Sequence, residues 1–197
     1  MSIFVKICGI RDPDTAAAAA DAGANAIGFV FAESVRKVTA AEARDAAAAI
    51  PVGIKRVAVM KHPLAEDWED VLHGFEPDVL QTDIGDFASL EVPARIRKWP
   101  VIREGDAIAA WPDVFVYEGQ QSGAGQTVDW QSAREAAANG NMILAGGLNA
   151  GNVVEAISVV QPWGVDVSSG VESQPGQKDA GKIREFISAV RAAEKEV

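Results

Sequence analysis

Two kinds of apolar pattern alternate along the chain. Short, nearly unbroken apolar runs recur about every 25 residues, and stretches with helical spacing separate them. The runs are Ile3 to Cys8, Ala26 to Phe31, Lys55 to Met60, Val79 to Thr82, Pro100 to Arg103, Val114 to Tyr117, Met142 to Ala145 and Gly164 to Val167. Most are rich in β-branched or aromatic residues, and they predict eight strands. Helices are predicted over 14–22, 39–49, 64–73, 87–96, 130–138, 150–160 and 178–195, with only a weak helical turn over 106–110. Asp12-Pro13, Asp129 and Asn149 mark helix starts, and Thr39 with Glu42 three residues later has capping-box spacing.

The strands are continuous apolar runs, not in-out alternations, so both of their faces are expected to be covered. That points to a parallel sheet wrapped by helices. Eight strand–helix units predict an α/β protein of the closed (β/α)8 TIM-barrel kind, near the lower size limit of that fold. One domain over residues 1–197 is expected, with no linker or low-complexity segment. An open doubly wound sheet is the alternative. Gly123-Ala124-Gly125 is expected to be a flexible loop.

Composition narrows the function classes. The chain has 197 residues, 48% hydrophobic and 23% charged, as in ordinary globular proteins. No apolar run approaches the roughly 20 residues that span a bilayer, and the N-terminal residues lack a signal-peptide pattern, so no membrane partner and a cytoplasmic location are expected. A net charge of −10 argues against a nucleic-acid partner. It still permits an anionic ligand, because backbone N–H groups bind anions without side-chain charge. The one cysteine, Cys8, rules out an internal disulfide and a thiolate metal cage. His62 and His73 lack ligand-like spacing, so no metal is expected. The five tryptophans are scattered and are expected to pack rather than to form a stacking platform.

In a closed barrel the chemistry gathers at the C-terminal ends of the strands. The candidates there are Cys8, Arg36, Asp83, Arg103, Glu118, Gly146-Gly147 and Ser168-Ser169-Gly170. Glycines and serines after the seventh and eighth strands suit a phosphate, since glycine lets the backbone approach an anion and serine adds donors. The same residues also suit tight turns. Cys8 ends the first strand, and two residues back Lys6 shares its side. A lysine pointing into the barrel needs a partner, and Asp166 on the eighth strand is the expected one. A nearby positive charge would favour the Cys8 thiolate, although a lone buried cysteine is ordinarily a small apolar residue. Glu118 and Asp83 can donate or accept a proton, or simply be solvated loop carboxylates.

Several segments together resemble the phosphoribosylanthranilate isomerase family. They are Lys6-Ile7-Cys8-Gly9-Ile10, Gly28-Phe29-Val30-Phe31, the Arg36 loop, Gly146-Gly147-Leu148-Asn149 with Asn152-Val153, Gly164 to Glu172, and Pro175-Gly176 with Lys178-Asp179, Lys182-Ile183 and Phe186. They run in family order from residue 6 to residue 186. The resemblance implies a (β/α)8 isomerase of tryptophan biosynthesis with no cofactor, acting on a phosphorylated small molecule by an Amadori rearrangement, as a monomer or homodimer. It implies Cys8 as general base at sugar C2, the acid after the sixth strand as proton donor to the ring oxygen, Arg36 toward the anthranilate carboxylate, and the last two loops around the phosphate. The chain departs from the pattern in two places. Glu118 stands where an aspartate is usual, and Gln81-Thr82-Asp83-Ile84-Gly85 puts Asp83 where a histidine is usual. A related aldose–ketose isomerase of shifted substrate, or a non-catalytic phosphate-binding barrel, are the competing functions.

Overall fold

The structure is a computed structural model; it describes residues 2–120 and 127–194. Eight strands close into a barrel in sequence order: β1 (Phe4–Cys8), β2 (Ala26–Val30), β3 (Lys55–Val59), β4 (Val79–Asp83), β5 (Arg97–Arg103), β6 (Val114–Glu118), β7 (Asn141–Leu144) and β8 (Gly164–Val167). All neighbours pair in parallel, and β1 pairs with β8 to complete the ring. The open sheet is thereby excluded.

The alternation of side chains along each strand sorts the core into two parts. Residues facing the lumen, such as Ala26, Val57, Val79, Trp99, Val116 and Ile143, form one buried cluster. Residues facing outward, such as Ile7, Ile27, Phe29, Leu80, Phe115 and Leu144, pack against the helices in a second, larger one. Each large apolar side chain so buried contributes about 1.5–3 kcal/mol relative to exposure. Phe4 closes the bottom of the barrel, edge-on to Trp99 at 5.6 Å and stacked on Trp163 at 4.5 Å.

The helices are α1 (Pro13–Asp21), α2 (Ala40–Ala47), α3 (Ala65–Gly74), α4 (Trp130–Ala137), α5 (Val153–Val160) and α6 (Ala180–Ala193). Their starts follow the expected chemistry. The Asp12 side chain accepts from Thr15 N, Asp129 from Ser132 N, and Thr39 with Glu42 makes the full capping box. In α1 a run of alanines, with Ala16 and Ala19 fully buried, lets the helix lie close on the sheet.

Four expectations are corrected. No α-helix spans 87–96. A 3-10 turn covers Ile84–Ala88, and the chain then runs irregularly to β5. Thirteen residues link the strands there, and Pro93 lacks the N–H that a helix interior needs. Trp68 of α3 fills this part of the shell instead, fully buried with its Nε1 donating to Glu91 O at 3.0 Å. The 106–110 segment is likewise not helical. The helix expected from residue 150 begins at Val153, and the last one begins at Ala180, because Gln177–Lys178 forms β10, a short hairpin with β9 (Glu172–Gln174). The expected loop at Gly123-Ala124-Gly125 and Lys195, the expected end of the last helix, lie outside the described residues. Among those described, no helix is long and apolar enough to cross a membrane.

Candidate active site

A cavity of about 280 Å³ opens at the C-terminal mouth of the barrel. Cys8, Arg36, Asp83, Arg103 and Glu118 line it, as do Gly146, Gly147, Ser168 and Ser169. The strand ends expected from the sequence therefore meet around one space. Thiol and carboxyl share the same rim.

Cys8 and Lys6 point into the lumen from β1, and Gly28 on β2 makes room for them. A Cβ at Gly28 would stand 3.0 Å from Cys8 Sγ and 3.2 Å from Lys6 Nζ. Lys6 is fully buried and donates to Asp166 Oδ2 at 2.8 Å, as expected. Burial works against the ammonium, yet the Asp166 and Cys8 groups beside it outweigh that and raise the Lys6 pKa. Lys6 does favour the thiolate, as expected, but it does not decide the outcome. Burial pushes the Cys8 thiol up, Asp166 adds to this, and the lowering by Lys6 and Lys178 does not overcome it. Asp166 Oδ1 and Gln81 Oε1 are buried without a hydrogen-bond partner among the described residues. Both side chains line the cavity.

The loops after β7 and β8 form the cradle. Gly146 and Gly147 both have positive φ, 95° and 61°, which suits glycine. Ser169–Val171 is only a 3-10 turn, shorter than a true helical start. Gly170 does not line the cavity. It is demanded by packing, since a Cβ there would fall 2.0 Å from Leu148 O. Behind the cradle lies Lys178, whose Nζ donates to Ser168 O at 3.0 Å, Ser168 Oγ at 3.1 Å and Glu172 Oε1 at 2.6 Å. Periodicity placed Lys178 at the head of a helix and missed this role. The Pro175-Gly176 turn that folds β10 back was the available signal.

Arg36 is gripped by Glu172 in a two-point fork, Nε to Oε1 at 2.7 Å and Nη2 to Oε2 at 2.9 Å. Burial works against the Glu172 carboxylate, but Arg36 and Lys178 overcome it and lower its pKa from 4.5 to about 2. The Arg36 side chain lies over Gly9, where a Cβ would come within 2.7 Å of its Cδ. Glu172 was not identified as a site residue from the sequence, though it lies in the motif that carries the resemblance.

On the opposite side Arg103 bridges two acids. Its Nη2 donates to Asp83 Oδ1 at 2.6 Å and its Nη1 to Glu118 Oε1 at 2.9 Å. His62, from the loop after β3, lies between Asp83 and Asp86, with Nε2 3.3 Å from Asp83 Oδ2 and Nδ1 3.0 Å from Asp86 Oδ1. Histidine spacing gave no hint of this cluster. Its three ligand-type side chains come within 4.8 Å of one another, but Asp83 is already engaged by Arg103.

Fold and mouth together define a (β/α)8-barrel enzyme that arranges a thiol, a carboxyl and glycine–serine loops around one cavity. A model of the family described as N-(5′-phosphoribosyl)anthranilate (PRA) isomerase matches residues 5–189, and the chain belongs to that family. It is 38% identical to the N-(5′-phosphoribosyl)anthranilate isomerase of Listeria monocytogenes, covering 98% of this chain and 100% of the relative. Among solved structures it is similar to TrpF from Jonesia denitrificans, with a TM-score of 0.83, 31% identity and 98% of each chain covered. It is also similar to a phosphoribosyl anthranilate isomerase solved with reduced 1-(o-carboxyphenylamino)-1-deoxyribulose 5-phosphate, with a TM-score of 0.79 and 28% identity, covering 96% of this chain and 99% of that one.

Proposed function

We propose that this chain converts N-(5′-phosphoribosyl)anthranilate to 1-(2-carboxyphenylamino)-1-deoxyribulose 5-phosphate, an isomerisation of tryptophan biosynthesis carried out in the cytoplasm by a monomer or homodimer. The observation that carries the reading is the meeting of Cys8 and Glu118 on one cavity, with the glycine–serine cradle on the same rim.

The chemistry needs two proton transfers. Glu118 donates a proton to the furanose ring oxygen as the bond from C1 to that oxygen breaks, and the anthranilate nitrogen supplies the electron pair that forms an iminium. Cys8, as thiolate, then takes the proton from C2, and the electrons move to the iminium to give an enaminol. Protonation at C1 with loss of the enol proton yields the aminoketose. Gly146, Gly147, Ser168 and Ser169 hold the phosphate through N–H and hydroxyl donors, with the Lys178 ammonium behind them. Arg36 meets the anthranilate carboxylate, its Nη1 taking no part in the fork to Glu172. Asp166 Oδ1 and Gln81 Oε1 offer unfilled acceptors to sugar hydroxyls.

The test is turnover of the purified chain, followed by chromatographic appearance of the ketose phosphate. Cys8→Ala and Glu118→Gln are each expected to lower kcat by on the order of 10²–10⁴, the usual worth of a general acid or base, without loss of fold. Binding of substrate by the parent chain with no product would mean a non-catalytic barrel. Parent-like rates in both variants would remove the assigned roles.

A further inference from the structure

Arg103 stands between the two positions at which this chain departs from the family pattern, Asp83 and Glu118. The guanidinium reaches both in opposite directions, at 2.6 Å and 2.9 Å. Its Nη1 also touches Gly119 O at 3.3 Å, and its backbone N is held by Asp106 Oδ2 at 2.8 Å. The head group is therefore fixed from several sides.

The same series of contacts continues beyond Asp83. The second oxygen of that carboxylate faces His62 Nε2 at 3.3 Å. His62 is fixed in turn by Asp86, which takes its ring Nδ1 contact at 3.0 Å and its backbone N–H at 3.1 Å. Thr82 Oγ1 donates to the same Asp86 carboxylate. The chain of contacts thus runs from the loop after β3, through the ends of β4 and β5, to the acid on β6.

Glutamate has one more torsion than aspartate and so more staggered positions to sample. A proton donor must be held closely, because a misplacement of about 1 Å costs roughly 100-fold in rate. Arg103 at 2.9 Å from Oε1 supplies a restraint on that oxygen. Both of its terminal nitrogens already face carboxylates, and Asp83, Arg103 and Glu118 together carry net negative charge. That is a poor receptor for a substrate carboxylate or phosphate. When Glu118 carries the proton to be donated, Asp83 remains to balance the guanidinium.

We propose that Asp83 and Arg103, braced by His62, are positioning residues that set the Glu118 carboxyl against the substrate ring oxygen. The inference rests on the function proposed above. It gives Asp83, which the sequence offered as a strand-end acid able to donate or accept a proton, a role exerted through Arg103 instead.

The experiment compares kcat and KM for Asp83→Asn, Arg103→Ala and the double variant on N-(5′-phosphoribosyl)anthranilate, with and without guanidinium ion well below denaturing concentration. Each single variant is expected to lose about 100-fold in kcat with KM little changed. The double variant is expected to be no slower than Arg103→Ala, because the two act as one unit. Added guanidinium is expected to restore turnover to Arg103→Ala while Asp83 is present, and not to the double variant. Should Arg103→Ala fail to fold by circular dichroism, Arg103→Lys carries the same comparison, and Asp83→Asn should add nothing to its loss. Losses that multiply overturn the proposal, as does a raised KM at unchanged kcat, which would make Arg103 a substrate anchor. An inactive parent chain would sink the proposed function and this inference with it. An active parent with independent losses sinks this inference alone.

Discussion

Cys8 is surrounded by groups that act on its proton in opposite directions. Lys6 and Lys178 favour the thiolate, while burial and Asp166 favour the thiol, and the thiol wins. The sign of the pH dependence follows. A base must be deprotonated and an acid protonated to act, so in Glu118→Gln, where the acid no longer titrates, the residual kcat/KM is expected to rise with pH by about tenfold per unit while the thiolate is the minor form. The rise should continue past the ordinary thiol value of 9.0, since the Cys8 pKa lies above it. A pH profile of kcat/KM on that variant checks this, and a flat profile there across the neutral and alkaline range would show that the Cys8 proton is not the one that matters. Strand periodicity foretold that Cys8 and Lys6 share the lumen, because alternation is a local property. It could not foretell which influence on the thiol is larger, because burial depends on all eight strands at once.

At the scale of elements, the sequence spoke clearly wherever the signal was local. All eight strands lie where apolar runs predict them, and the α2 capping box lies where Thr39 and Glu42 put it. The expected helix over 87–96 failed because Phe87, Leu90 and Ala94 are spaced like a helical face while Pro93 and a short connection forbid the helix. Leu90 and Ile96 are buried all the same. Site relations that bridge distant loops were equally hidden. Arg36 and Glu172 are 136 positions apart, and nothing in either neighbourhood announces the fork between them. The irregular segment after β4 instead depends on a neighbour. Trp68 of α3 is 1% exposed and hydrogen-bonds Glu91 O, so it stands in for a helix that the chain is too short to form. Trp68→Ala is expected to cost about 3–5 kcal/mol, as a large cavity opens under the segment. Trp68→Phe keeps most of the volume and loses the hydrogen bond, for about 1 kcal/mol. Urea unfolding of the two variants measures both. Equal losses would mean that the packing of Trp68 is not what holds the segment.

For the whole molecule the decisive joint is the one between the first strand and the last. Seven neighbouring strand pairs are joined by a connection of the chain, but β1 and β8 meet only by folding the two ends of the sequence together. Their register puts Lys6 opposite Asp166, and the buried ion pair lies at that point. A buried pair need not add net stability, because desolvating two charges offsets much of their attraction. Removing one partner is a different matter, since it strands a charge where water cannot reach it. Asp166→Ala is therefore expected to destabilise the barrel by about 3–5 kcal/mol, with Lys6→Met comparable. The combined Lys6→Met and Asp166→Leu variant should regain much of that loss while remaining inactive, because Lys6 flanks Cys8 and Asp166 lines the cavity. Equilibrium unfolding of the three variants separates the contributions. If the single variants match the parent in stability, the pair does not govern closure. If the double variant is the least stable of all, the pair does more than avoid a stranded charge, and the seam depends on the attraction itself.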